Sequence, residues 1–173
     1  MDKISIIVPV FNCHEHLNRI IMGILKQTYI NIEIVIVDGG SSDSSYEMSL
    51  DWAFLDDRIK VYETRESVLE FGLKMATGKY VLFVDTINFD DNDMLNSMYS
   101  EIVKNNSDIS IYNSNFSKIV NYLVGSYSNF MIKTFDSCLW NKLYRKDLFV
   151  DFIIDNNVFQ TALKRAVRVT LFV

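Results

Sequence analysis

Short, nearly all-apolar runs alternate with amphipathic segments over the first 107 residues, and this rhythm leaves few folds open. Ile4 to Phe11 reads ISIIVPVF and Ile32 to Asp38 reads IEIVIVD. Runs so apolar and so rich in β-branched residues belong to strands covered on both faces. Arg58 to Thr64 predicts a third, more polar strand, Lys79 to Asp85 a fourth, and Asp108 to Phe116 a further one. Between the first two strands, Leu17, Ile20, Ile21, Ile24 and Leu25 recur at helical spacing, and Asn12 with Glu15 predicts a capping box at the helix start. After the turn GGSSDSS, Asp43 or Ser44 caps a second helix. SVLEFGLKMA is helical with Gly78 as its stop, and Met94, Leu95, Met98, Tyr99, Ile102 and Val103 mark another helix. Strand and helix in alternation imply an α/β fold, a mainly parallel sheet with helices on both faces.

In such sheets ligands bind beyond the carboxyl ends of the strands. Three polar stations fall there: Asn12, Asp38 with its Gly-Ser turn, and Asp85. One such residue alone would be read as a helix cap; three on one edge point to a ligand site. The first strand-helix turn, PVFNCHE, has no GxGxxG, and the chain has no GxxxxGK[ST], so a dinucleotide enzyme or P-loop NTPase is not expected. Asp38 offers two acceptor oxygens for a ring N–H of a base or a ribose hydroxyl, and Gly39 and Gly40 let the backbone approach such a ligand.

Composition narrows the rest. At 173 residues, about half of them apolar, with one Pro and six Gly, the chain is one domain with a real core and no long linker. A net charge of −5 gives no reason to expect nucleic-acid binding. Lys142, Arg145, Lys146, Lys164, Arg165 and Arg168 form a basic end that fits a solvated helix face better than an anionic membrane surface. Cys13 and Cys138 form no CxxC pair and suggest a reducing compartment, and Asn12 to His16, NCHEH, lacks a second cluster to complete a metal site. No apolar run approaches the ~20 residues of a membrane span, and Met1 to Phe11 reads as a strand rather than a signal peptide, so a cytoplasmic location is expected.

The stretches SIIVPVFN, LKQTYINIEIVIVDGGSSDSS, GLKMATGKYVLFVD and LWNKLYRKDLF resemble the family 2 glycosyltransferases of the GT-A fold, closely from residue 4 to 104 and patchily after 116. The resemblance implies a Rossmann-like sheet in a single domain over 1–173, with a nucleotide-binding half to residue 107 and a shortened acceptor-side half over 108–173. It implies an inverting transferase that takes a UDP- or GDP-linked sugar to a glycan or lipid-linked acceptor, in surface polysaccharide synthesis, at the inner membrane face. Pro9, Phe11 and Asn12 fall on the family's first-strand motif, Asp38 and Gly40 on its Asp-Gly-Ser turn, and Asp85 on the first Asp of its DxD-type motif. These six are the expected nucleotide-binding residues. The family's Mn²⁺ or Mg²⁺ would rest on Asp85, with Asp90 or Asp91 as a second ligand if the loop folds back; the family's general-base position aligns with Asn156, and Asp155 would be the base if the register differs by one.

Several positions depart from the family pattern. Ile87 stands where the second motif Asp belongs, placing hydrocarbon where a hard cation needs oxygen. Leu69 and Glu70 stand where the family has an Arg-Asn pair, and Asn156 follows Asp155 in place of an acid. Lys142 or Arg145 would then be the cations available to the leaving diphosphate in place of a metal. Two functions therefore compete: an active nucleotide-sugar transferase, or a catalytically impaired relative acting as a nucleotide-binding or partner subunit. A helix over Val158 to Val167 with a broad apolar stripe, followed by RVTLFV, further predicts an apolar surface around Phe159, Leu163 and Phe172. A second copy, a partner protein or a membrane would cover it, or the chain would fold back and bury these groups itself.

Overall fold

A computed structural model describes residues 1–84, 89, 91–112 and 141–149, and the backbone of 169–172. Among the described residues, seven strands form one sheet and four α-helices cover its two faces: β1 (Ile4–Val10), α1 (His14–Leu25), β2 (Ile32–Asp38), α2 (Ser45–Leu55), β3 (Ile59–Glu63), α3 (Val68–Met75), β4 (Tyr80–Phe83), α4 (Met94–Lys104), β5 (Ile109–Tyr112), β6 (Lys142–Arg145) and β7 (Val169–Phe172). The strand order is β3-β2-β1-β4-β6-β5-β7. β1 pairs parallel with β2 and with β4, and β2 with β3. β6 runs antiparallel between β4 and β5, and β7 pairs parallel with β5. The alternation therefore built the mainly parallel sheet expected of it, with β6 as the reversed strand.

Alternate side chains of the strands enter two cores. Ile4, Ile6, Val8, Ile34, Ile36 and Leu82 pack with α1 and α4 on one face. Ile7, Val35, Val37, Val81, Phe83 and Tyr144 pack with Leu73 of α3 on the other. β1 and β2 are buried on both faces, which is why their sequences do not alternate with polar residues.

Three local expectations need correction. Asn12 does not cap α1. Cys13 holds the cap position without a side-chain bond, and Asn12 adopts a left-handed conformation with φ 47°, which a short amide side chain tolerates. Gly78 does not stop α3, which ends at Met75. Its role is close approach: a β-carbon there would lie 2.7 Å from Lys3 O and Ser5 N, both backbone atoms that cannot swing aside. Asp43, by contrast, accepts from the Ser45 amide at the start of α2 as a cap would, although Ser44 occupies the cap position.

That close approach belongs to a buried polar knot at the amino ends of the strands. Glu33 of β2 accepts from Ser5 Oγ, from the amide and hydroxyl of Thr77, and from the Gly78 amide. Gly78 N also donates to Ser5 Oγ. The knot fixes the α3–β4 turn against β1 and β2, and so fixes how far β4 reaches at the opposite edge.

Candidate functional site

At the carboxyl edge, consecutive strand ends are stapled together. The Gly39 amide donates to Val10 O at 2.9 Å and the Thr64 amide to Asp38 O at 2.9 Å. The segments that follow β1, β2 and β3 therefore leave the sheet side by side. On the other side of β1, the Val84 amide donates to Ile7 O, and the pairing with β4 stops at Ile7 and Phe83. Two residues on, Pro9 lacks the N–H that would continue the ladder toward β4, so the two strands are free to part at that point.

Asp38 is buried, with 1% exposure, at the floor of this edge. Its Oδ1 accepts from the amides of Gly40 (2.8 Å) and Ser41 (2.7 Å), and its Oδ2 accepts from Ser41 Oγ. Gly40 turns the chain with φ 91°, a conformation costly to residues with a β-carbon. The carboxylate thus shapes the turn, and Oδ2 keeps acceptor capacity beyond its one bond.

The loops after β1 and β2 interlock. Asn12 Oδ1 accepts from the Ser42 amide at 2.8 Å, and the Asn12 amide donates to Ser41 Oγ at 3.0 Å. The Cys13 amide donates to Ser45 Oγ, and Asp43 accepts from the amide and ring nitrogen of His14. The Ser45 and His14 bonds hold the Asp43 carboxyl well below the usual carboxylate range. Burial pushes the Cys13 thiol up, so it is a thiol and not a metal-ready thiolate. Asn12, Cys13 and His14 of the NCHEH stretch thus each bond to the loop that follows β2.

Phe11 is 65% exposed although it directly follows a core strand. A β-carbon on Gly39 would lie 3.7 Å from its ring, so the ring stands beside the glycine turn with one face in water. An exposed aromatic beside a backbone floor is a stacking surface for a flat ring. The structure thus brings Pro9, Phe11, Asn12, Asp38 and Gly40 to one edge. Asp85, Ile87, Asp90, Asp155 and Asn156 lie outside the described residues, as do Phe159 and Leu163.

The departures from the family pattern can be followed where they are described. Leu69 is partly buried and packs against the core beneath α3. Asp91 is already engaged: it accepts from the Asp93 amide and from the Tyr112 hydroxyl at 2.8 Å. Burial, with Asp91 adding to it, pushes the Tyr112 phenol up to about 12, so it stays a donor. Among the described residues no group of three His, Cys, Asp or Glu could hold a metal ion.

The two candidate cations separate. Arg145 lies opposite Tyr80, at the amino end of β4, ion-paired with Asp108 and Asp147. It faces the wrong edge of the sheet and cannot serve the site, because the antiparallel direction of β6 carries it away. The same direction brings Lys142 to the carboxyl edge, 2% exposed, one residue beyond the Leu82–Leu143 pair, with Nζ 3.2 Å from Asn141 Oδ1.

Sequence reasoning assigned no role to Gln27. It is buried, donates to Asp91 O and accepts from the Leu95 amide, and the Thr28 amide donates to Asn92 O. These bonds clamp the segment between β4 and α4 onto the end of α1. An amide closing the otherwise apolar stripe of α1 was the available signal.

The sequence and the fold both have known relatives. The family model described as Glycosyl transferase family 2 matches residues 5–170. Glycosyltransferase GlyA of Streptococcus pneumoniae serotype 4 is 38% identical over 116 residues, covering 65% of this chain and 17% of GlyA. S. aureus TarS in complex with UDP-GlcNAc superposes with a TM-score of 0.78 at 21% identity, over 98% of this chain and 56% of that one. The mannosyltransferase PcManGT of Pyrobaculum calidifontis, in complex with GDP-Man and Mn²⁺, gives 0.78 at 16% identity, over 98% and 54%. At these identities the structural likeness shows the fold. The chain spans little more than half of either structure and a smaller part of GlyA.

Proposed function

Because the chain belongs to the family 2 glycosyltransferases, whose model matches residues 5–170, we propose that it binds a UDP- or GDP-linked sugar across the ends of β1, β2 and β4. It passes that sugar, with inversion, to a hydroxyl of a glycan or lipid-linked acceptor. The observation that carries this is the stapled carboxyl edge. A buried acceptor, Asp38, lies under a glycine turn beside the exposed ring of Phe11, on the GT-A sheet. TarS and PcManGT, which share the fold, are described with UDP-GlcNAc and GDP-Man. We assign the half to residue 107 to the nucleotide and the half over 108–173 to the acceptor side.

In this reading the acceptor oxygen attacks the anomeric carbon while the bond to the β-phosphate oxygen breaks, its electron pair leaving with the diphosphate. Asp155 takes the acceptor proton. The charge that grows on the diphosphate needs a fixed positive group, and Lys142 is the cation at the right edge. No helix among the described residues is long and apolar enough to cross a membrane. We place the reaction on the cytoplasmic side, at the inner membrane face.

Calorimetry with UDP-GlcNAc and GDP-mannose, in Mn²⁺ and in chelator, tests this. One donor is expected to bind saturably, with affinity changing less than about threefold on chelation because Ile87 removes an oxygen ligand. Ile87→Asp is expected to restore metal-enhanced binding. Failure of both donors and their diphosphates to bind contradicts the proposal. A strong Mn²⁺ requirement in the parent contradicts the metal-independent part and points to Asp90 as a ligand. Binding without transfer or release of the sugar would identify the impaired, partner-subunit form.

A further inference from the structure

α2 lies over β2 and β3, at the end of the sheet where, among the described residues, no strand lies beyond β3. The helix is apolar on both sides. Met48, Trp52 and Ala53 pack on the core, while Leu50, Phe54 and Leu55 are exposed, Phe54 by 90%. A helix that is apolar all round belongs in an interior. Tyr46, Leu50 and Phe54 recur at every fourth position and so form one ridge along the helix. The Trp52 indole, on the opposite side of the helix, donates to Asn18 of α1. The ridge therefore looks away from α1, toward the open end of the sheet.

The edge of β3 beneath this ridge is open as well. The Ile34 amide donates to Arg58 O and the Thr64 amide to Asp38 O, so Arg58, Lys60, Tyr62 and Thr64 direct their backbone groups to β2. The residues between them point theirs the other way, which leaves the N–H and C=O of Val61 and Glu63 facing the free edge. Helix and strand are also held level with each other. Asp56 closes the turn between them, its carbonyl accepting from the Ile59 amide and its carboxylate from the Arg58 amide and guanidinium. Leu50 lies about 7.5 Å before the end of α2, and Val61 about 6.6 Å past the start of β3. The two elements run in opposite directions from that turn, so Leu50 and Val61 stand at the same height.

We propose that this end of the sheet binds a second copy of the chain, through an antiparallel β3–β3 pair and an α2–α2 contact about one twofold axis passing Val61 and Leu50. The edge is its own complement. Val61 exchanges both backbone bonds with the partner's Val61, and the Glu63 amide donates to the carbonyl of the partner's Ile59. This register sets Lys60 against the partner's Tyr62. Centring the pair on Lys60 would oppose two ammonium groups, and centring it on Glu63 two carboxylates. Because α2 lies over both β2 and β3, the two copies of α2 come two strand spacings apart, about 10 Å, which is the distance of packed helices. Leu50 then meets the partner's Leu50, and Phe54 the partner's Tyr46. The axis reverses the strands of the second copy, so the two carboxyl edges open at opposite ends and both donor sites stay free.

Sedimentation equilibrium from low to high micromolar protein tests this on the parent, on Leu50→Arg, on Leu50→Glu and on an equal mixture of the two variants. One short strand and one helix make a small interface, so the parent is expected to pass from one chain mass to two in the micromolar range. Leu50 meets its own copy on the axis, so either charge alone faces a like charge, and each variant is expected to associate at least about 30-fold more weakly. In the mixture opposite charges meet, and the dimer is expected to return; only folded variants can give that rescue. Oxidative crosslinking checks the strand pair, with the parent, which keeps Cys13 and Cys138, as control. Val61→Cys places two Cα atoms about 5.5 Å apart, within disulfide reach, whereas the two copies of Lys60→Cys lie roughly 8 Å apart, beyond it. A parent that stays monomeric leaves this face to another protein or a lipid surface and overturns the proposal. A mixture no more dimeric than either variant alone overturns it too, as does crosslinking no faster at Val61→Cys than at Lys60→Cys.

Discussion

Glu33→Leu is expected to destabilise the protein by about 3–5 kcal/mol, enough to remove much of the stability of a domain this size. The leucine fills the volume but leaves the Thr77 amide without its acceptor and the Gly78 amide and Ser5 hydroxyl with only each other. Each buried donor left unpaired costs about 1–3 kcal/mol. Chemical denaturation of the parent, Glu33→Leu and Glu33→Gln measures this, and a Glu33→Leu loss under about 1 kcal/mol would mean the knot is not a stabilising element. The same carboxylate predicts acid sensitivity. Burial alone would raise its pKa, but the bonds from Ser5 and Thr77 and the nearby Lys3 ammonium outweigh it, and the net shift is below the ordinary 4.5. The folded value lies below the unfolded one, so this stabilisation is fully present above about pH 4.5 and is lost as pH falls through the folded value. Glu33→Gln, which cannot titrate, is expected to show a flatter acid limb in its thermal melts.

Asp38→Ala is expected to weaken the bound nucleotide about 10–100-fold, the range for one charge-assisted hydrogen bond. It is also expected to lower the melting temperature by a few degrees, because three turn groups lose their acceptor. These effects are separable. Ser41→Ala removes a turn bond and leaves the Asp38 acceptor in place, so it should share the thermal loss and keep most of the affinity. If Ser41→Ala reproduces the whole affinity loss, Asp38 acts by shaping the turn and does not itself touch the base.

The strands and the edge at which a ligand would sit were legible in the chain. Ile4–Val10 and Ile32–Asp38 are too apolar to be anything but doubly covered strands, and Asp38, Gly39 and Gly40 announce a strand end with a sharp turn. Polar residues inside those runs were not legible. Ser5 and Glu33 look like interruptions of a strand, and only the sheet register, which sets Ser5 opposite Glu33, reveals a pair. Asn12 satisfied every local rule for a helix cap, yet a partner 30 residues away, Ser42, competed for its oxygen and won. Gly78 likewise read as a helix stop because local rules do not know that β1 passes beneath it. Arg145 and Lys142 were equal candidates by sequence, and the reversed direction of β6 divides them.

The account stands on a nucleotide lying across the carboxyl edge with its base over the glycine turn. A crystal structure of the protein with UDP or GDP, whichever calorimetry shows to bind, tests this most directly. The predicted result is a base seated on Gly39 and Gly40 against the Phe11 ring, its ring N–H donating to Asp38, and its diphosphate toward the end of β4. A nucleotide bound elsewhere, such as the groove along α1 between Glu15, Arg19 and Phe89, or one with its phosphates over the glycine turn and its base toward β4, would contradict it.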